Sequence, residues 1–136
     1  MIKGIAHVGI AVIDLEKAKS SYEKLVSIKS SETESFGELK FSFLPLPGTH
    51  IELLQSTTPE GVINKFIDKK GEGIHHISYE VDDIEKEVET MKSLGIQFVT
   101  PKPYPNAHKN LVIFIHPKCT SGVLTELIQF IGKGHA

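Results

Sequence analysis

Residues 5–17 read IAHVGIAVIDLEK, and residues 74–86 read IHHISYEVDDIEK. At this offset of 69, six of the thirteen positions are identical: Ile5/Ile74, His7/His76, Val12/Val81, Asp14/Asp83, Glu16/Glu85 and Lys17/Lys86. Ordinary residue frequencies would give about one match. A second echo follows at an offset of 74, where Glu52-Leu-Leu-Gln55 answers Glu126-Leu-Ile-Gln129. The chain is therefore read as two copies of one small unit. Copies of this kind can pair about a pseudo-twofold axis, which would bring their repeated His and Glu residues together.

The local signals give the unit its content. Residues 2–12 are apolar and β-branched, as in a strand buried on both faces. Asp14 has the position of a helix N-cap, and Leu15, Ala18, Tyr22 and Leu25 recur at helical spacing over 15–26. Residues 28–36 suggest an edge strand, and 39–45 alternate as a strand does. Pro47-Gly48 marks a turn, and 50–54 return as the next strand. Pro59 signals the start of a short helix carrying Val62, Phe66 and Ile67. The second copy follows: a strand at 74–81, a helix at 83–94 stopped by Gly95, a strand at 96–99, a proline-rich loop at 100–110, and strands at 111–116 and 123–130. The expected architecture is α+β: two repeated βαβββ modules forming a curved mixed β-sheet cavity with helices outside. At this length it is a single domain, residues 1–136. The N-terminal module spans 1–55, a connecting helix 56–72, the C-terminal module 73–131, and a tail 132–136.

Composition removes several classes of function. A formal net charge of −2 offers no field for nucleic acid or anionic lipid. Cys119 is the one cysteine, which forbids an internal disulfide and suits a reducing compartment. With no long apolar run and no signal-like N-terminus, a cytoplasmic location without membrane contact is expected. All fifteen basic residues are lysines, so no guanidinium fork is available to grip a carboxylate or phosphate.

Strand alternation then sorts the side chains. On the first strand His7 shares a face with Gly9 and Ala11; on its copy His76 shares one with Ser78 and Glu80, whereas His75 points the other way. Both histidine faces carry small or polar residues and both opposite faces bulky apolar ones, as a cavity side and a core side would. Glu52 and Glu126 each lie in otherwise apolar segments, where an unpaired carboxylate costs several kcal/mol. The four repeated residues His7, Glu52, His76 and Glu126 are accordingly candidate ligands of one metal ion. Two imidazoles and two carboxylates, with no thiolate, suit Co²⁺, Mn²⁺, Ni²⁺, Fe²⁺ or Zn²⁺ with positions left open for substrate oxygens. His50 and His116 read as strand-end residues, His108 has no counterpart in the repeat, and His135 falls in an expected mobile tail.

The layout and the segments IAHVGIAV (5–12), IELLQ (51–55), GIHHISYEVDDIE (73–85) and IFIHPKCTSGVLTELIQF (113–130) resemble the vicinal oxygen chelate superfamily, which includes the glyoxalases. Within it the chain is most similar to the methylmalonyl-CoA epimerases, over almost its full length. The resemblance implies that His7, Glu52, His76 and Glu126 hold a divalent metal. It further implies that a malonyl-type thioester loses its α-proton to a base and regains one on the opposite face, with the cation offsetting the enolate's charge. Glu126 is the first candidate for a proton-transfer group. The second candidates are Glu52 itself, Glu38, or a place that Lys40 occupies instead. Lys109 and Lys118 are candidates, by charge, for the coenzyme A phosphates, and a homodimer is expected from the resemblance. Two alternatives remain. One is lactoylglutathione lyase (glyoxalase I), against which the missing arginine argues; the other is a metal-free small-molecule-binding resistance module. An extradiol dioxygenase would need only three ligands.

Overall fold

The computed structural model describes residues 1–131. Each half runs strand, helix and three strands, as the repeat requires. The first half is β1 (Ile2–Ala11), α1 (Leu15–Val26), β2 (Glu34–Phe36), β3 (Leu39–Leu44) and β4 (His50–Ser56). Helix α2 (Val62–Lys70) follows. The second half is β5 (Gly73–Val81), α3 (Ile84–Ser93), β6 (Tyr104–Pro105), β7 (Leu111–Ile115), a 3₁₀ turn at Pro117–Cys119, and β8 (Thr125–Gln129). Among the described residues two compact units result: residues 8–75, and residues 1–7 together with 76–131. Among the described residues no helix is long and apolar enough to cross a membrane.

In the unit of residues 8–75 the strands follow the order β2-β3-β4-β1. Asp14 caps α1, its carboxylate accepting from the Lys17 N–H at 3.1 Å, and Ser27 closes the helix in a left-handed conformation. Leu15, Val12, Leu44 and Leu53 form the core, with Ile10, Ala18, Tyr22, Val26 and Ile51 around them. Leu25, expected on the buried stripe, is 74% exposed. The reason is angular: at about 100° per residue Val26 returns to within roughly 20° of Leu15, whereas Leu25 lies about 80° away. Helix α2 starts at Val62 rather than beside Pro59, because the Ser56 hydroxyl accepts from the Ile63 and Asn64 N–H groups at 2.9 and 3.2 Å.

In the other unit the order is β1-β5-β8-β7-β6. β5 and β8 are parallel, and β8–β7 and β7–β6 antiparallel, so the sheet is mixed. Asp83 caps α3 as Asp14 caps α1. The core is Val81, Ile84, Val88, Ile113, Ile115 and Leu127. The strand expected at 96–99 does not form. Only a single bridge joins Phe98 to Ile115, while Ile96 and Phe98 pack against the core below α3. The third strand of this half lies instead at Tyr104–Pro105, inside the segment read as a loop. It pairs with β7 alone at the end of the sheet, where proline's missing N–H is tolerated.

The glutamines of the second echo have matching roles. Gln55 Oε1 accepts from the Leu15 N–H at 2.8 Å, and Gln129 Oε1 from the Ile84 N–H at 2.9 Å. Each fixes the first turn of its module's helix onto the sheet.

Candidate functional site

Core packing determines which side chains line the other face. On β5, Tyr79 and Val81 belong to the core beneath α3, so His76, Ser78 and Glu80 face away from it. On β8, Leu127 belongs to that core, so Glu126 and Ile128 face away. Phe114 of β7 lies directly across from Glu126, Val112 across from Ile128, and Tyr104 of β6 across from Val112. Residues opposite one another in an antiparallel pair project on the same side. One face of this unit therefore carries His76, Ser78, Glu126, Phe114, Val112 and Tyr104.

His7 joins them from β1. Its Nε2 lies 3.0 Å from Nε2 of His76, and the rings meet edge-on with centroids 5.1 Å apart. Glu126 Oε1 is 3.5 Å from the same His7 nitrogen. His7, His76 and Glu126 are only 2%, 4% and 7% exposed. The His76 ring packs edge-on against Phe114 at 5.9 Å, which limits its rotation. His75 points the other way, onto the Phe66 ring at 5.0 Å.

Glu52 lies in β4 opposite Phe43. Its neighbours Ile51 and Leu53 pack toward α1, so Glu52 and Phe43 share the face turned away from that helix. Lys40 pairs with Gln55, whose side chain caps α1, so Lys40 is on the helix side of the sheet. Glu38 occupies the β2–β3 turn, where Oε1 accepts a long 3.4 Å bond from the Val62 N–H at the start of α2. On Glu52's face β3 thus presents Phe41 and Phe43, and no carboxylate.

The remaining candidates have other surroundings. Lys109 is exposed in a tight turn, with φ 63°. Lys118 is exposed in the 3₁₀ turn. His116 caps that turn, Nδ1 accepting from the Lys118 N–H at 3.2 Å. His50 packs near Phe43 with ring centroids 6.2 Å apart. The His108 backbone N–H donates to Asn106 Oδ1 at 3.0 Å, and His135 lies outside the described residues. Sequence reasoning did not single out Phe114 and Tyr104. Phe114 could have been found by alternation along β7, but Tyr104 was hidden in a segment that gave no strand signal.

The donor set fits a divalent cation. A second imidazole nitrogen and a carboxylate oxygen each approach His7 Nε2 with almost no water access, a donor set of borderline to hard character. A buried carboxylate of this kind needs a positive partner or donors. The hydroxyl of Ser78, a residue fully buried and directly opposite Glu126, has no hydrogen-bond partner among the described residues. An orphaned buried hydroxyl beside a polar cluster is consistent with a bound group there.

The sequence model of the Glyoxalase/Bleomycin resistance protein/Dioxygenase superfamily matches residues 6–114. The mitochondrial methylmalonyl-CoA epimerase of Homo sapiens is 40% identical over 126 residues, covering 90% of this chain and 72% of that protein. The ethylmalonyl-CoA/methylmalonyl-CoA epimerase of Cereibacter sphaeroides is 37% identical over 133 residues, covering 95% and 99%. The crystal structure of methylmalonyl-CoA epimerase from Mycobacterium tuberculosis superposes with a TM-score of 0.89 at 30% identity, covering 96% of this chain and 89% of that one. With its repeated βαβββ modules and its buried histidine–glutamate cluster, the chain belongs to the glyoxalase/bleomycin resistance/dioxygenase superfamily and, within it, to the methylmalonyl-CoA epimerase family.

Proposed function

We propose that this protein is a metal-dependent epimerase that interconverts the (R) and (S) forms of methylmalonyl-CoA by removing and returning the α-proton. The observation that carries the reading is the buried convergence of His7 and His76, 3.0 Å apart, with Glu126 3.5 Å from His7, in a chain of this family. His7, His76 and Glu126 would hold the ion. Glu52 would supply the fourth donor, supported by its place in the repeat as the counterpart of Glu126. Co²⁺, Mn²⁺, Ni²⁺ and Zn²⁺ suit such ligands. When bound, the cation supplies Lewis-acid stabilisation of the negative charge that develops on the thioester and carboxylate oxygens.

The protein's own residues do the rest. Glu126 takes the α-proton, its carboxylate held on a rigid strand between β5 and β7. Glu52 is the other carboxylate available for proton transfer. Burial excludes water, which sharpens every charge interaction at the site. Lys109 and Lys118 are the cations assigned to the coenzyme A phosphates, as point charges in the absence of arginine. We further assign the protein to the cytoplasm as a homodimer. The similarities to epimerases do not favour a glyoxalase I activity.

The test is deuterium wash-in at the α-carbon of methylmalonyl-CoA in D₂O, with the metal varied, beside turnover of the methylglyoxal–glutathione hemithioacetal. Metal-dependent exchange on the thioester and none on the hemithioacetal is the expected result. The reverse pattern would replace the epimerase by a glyoxalase I. Tightly retained small molecules with no exchange on either would favour a binding module.

A further inference from the structure

Inverting a carbon centre needs two proton-transfer groups, one on each side of a planar enolate. The second carboxylate anticipated on β3 is absent from the face that carries Glu52: Lys40 lies on the helix side and Glu38 meets the start of α2. A different group does share Glu126's face. Tyr104 stands across from Val112, Val112 across from Ile128, and Phe114 across from Glu126. One strand, β7, separates the two residues, so their backbones run about 10 Å apart. Phe114 and Val112 lie between them on the same face.

We propose that Tyr104, rather than Glu52, is the second proton-transfer residue, acting across the enolate from Glu126 and leaving Glu52 as the fourth donor to the ion; this rests on the epimerase reading above. In one direction the α C–H bond breaks, its proton joins the Glu126 carboxylate, and the electron pair enters the enolate. The Tyr104 O–H bond then breaks, and its proton forms the new C–H bond on the opposite side. The products are a Glu126 carboxylic acid and a Tyr104 phenolate. Passage of one proton from the acid to the phenolate, through water, restores both groups with no net gain or loss. The other enantiomer runs the same steps backwards, entering at the phenolate.

The test is Tyr104→Phe, which keeps the ring and removes the hydroxyl, assayed on each enantiomer separately in D₂O with the metal supplied. Deuterium should still enter one enantiomer, the one whose α-proton faces Glu126, without inversion. Racemisation should fall at least about 100-fold, the loss expected when a general acid is removed. Glu126→Gln should fail with that same enantiomer. Racemisation by Tyr104→Phe at the wild-type rate would overturn the assignment and leave the epimerase reading intact. A parallel fall of exchange and racemisation for both enantiomers would reduce Tyr104 to a structural role. A wild-type protein that exchanges neither enantiomer would overturn the epimerase reading, and this assignment with it.

Discussion

Gln129 Oε1 accepts the backbone N–H of Ile84 at 2.9 Å. Three residues earlier on the same strand, Glu126 faces the other side of the sheet. An odd spacing on a strand divides the two side chains between opposite faces. One short motif thus provides a helix cap on the core side and a carboxylate on the site side, and Glu52 with Gln55 repeats it. Replacing Gln129 by Ala should cost about 1 kcal/mol, the worth of one cap-type hydrogen bond. The check is urea unfolding alongside wash-in. The midpoint should drop while the folded variant keeps wild-type exchange; loss of exchange at full stability would refute the division of labour.

The repeat made much of this legible. A strand places its polar side chains by parity, and parity survives small errors in strand ends, so His7 and His76 could be put on one kind of face from the sequence, and the echo at an offset of 74 joined Glu52 and Glu126 to them. Capping chemistry is equally local, which is why Asp14 and Asp83 were readable as helix starts. Tyr104 was not readable. A two-residue edge strand containing Pro105 has no periodicity to detect; its register is imposed by β7, a partner reached only through the fold. The place of Glu38 depends in the same way on the β2–β3 turn and on where α2 begins. Leu25 failed because two residues one apart both sit near the expected stripe, and only helix geometry separates them.

The 3.0 Å approach of His7 and His76 makes a metal prediction. His7→Ala and His76→Ala should each weaken Co²⁺ or Mn²⁺ binding by at least about 100-fold, since even partners of ligands are worth ~10–100-fold. Equilibrium dialysis of chelator-stripped protein measures this directly. Unchanged affinity in either variant would remove that histidine from the site. Chelation of the wild type should abolish exchange, and Co²⁺ or Mn²⁺ should restore it.

Glu126 is asked to be both ligand and base, and Glu126→Gln separates shape from charge. The amide has the same size but cannot take a proton. Exchange from the enantiomer facing Glu126 should fall by about 10²- to 10⁴-fold, with circular dichroism and thermal unfolding close to wild type. An active Glu126→Gln protein would move the proton transfer elsewhere.

Glu23 offers a pH prediction away from the site. Its Oε2 accepts from both the hydroxyl and the backbone N–H of Ser30, at 2.6 and 2.8 Å. The Ser30 hydroxyl first, and then its N–H, hold the Glu23 carboxyl below its ordinary value of 4.5. A carboxylate depressed in the folded state contributes stability that is fully present above the unfolded pKa and is lost as pH falls through the folded one. The contribution should therefore be complete at pH 7 and fade below pH 4.5. Glu23→Gln removes this titration. Urea unfolding from pH 7 to pH 3 should show the wild type more stable at neutral pH and the gap closing on acidification; a gap constant across that range would mean that the Ser30 bonds do not depend on the carboxylate's charge.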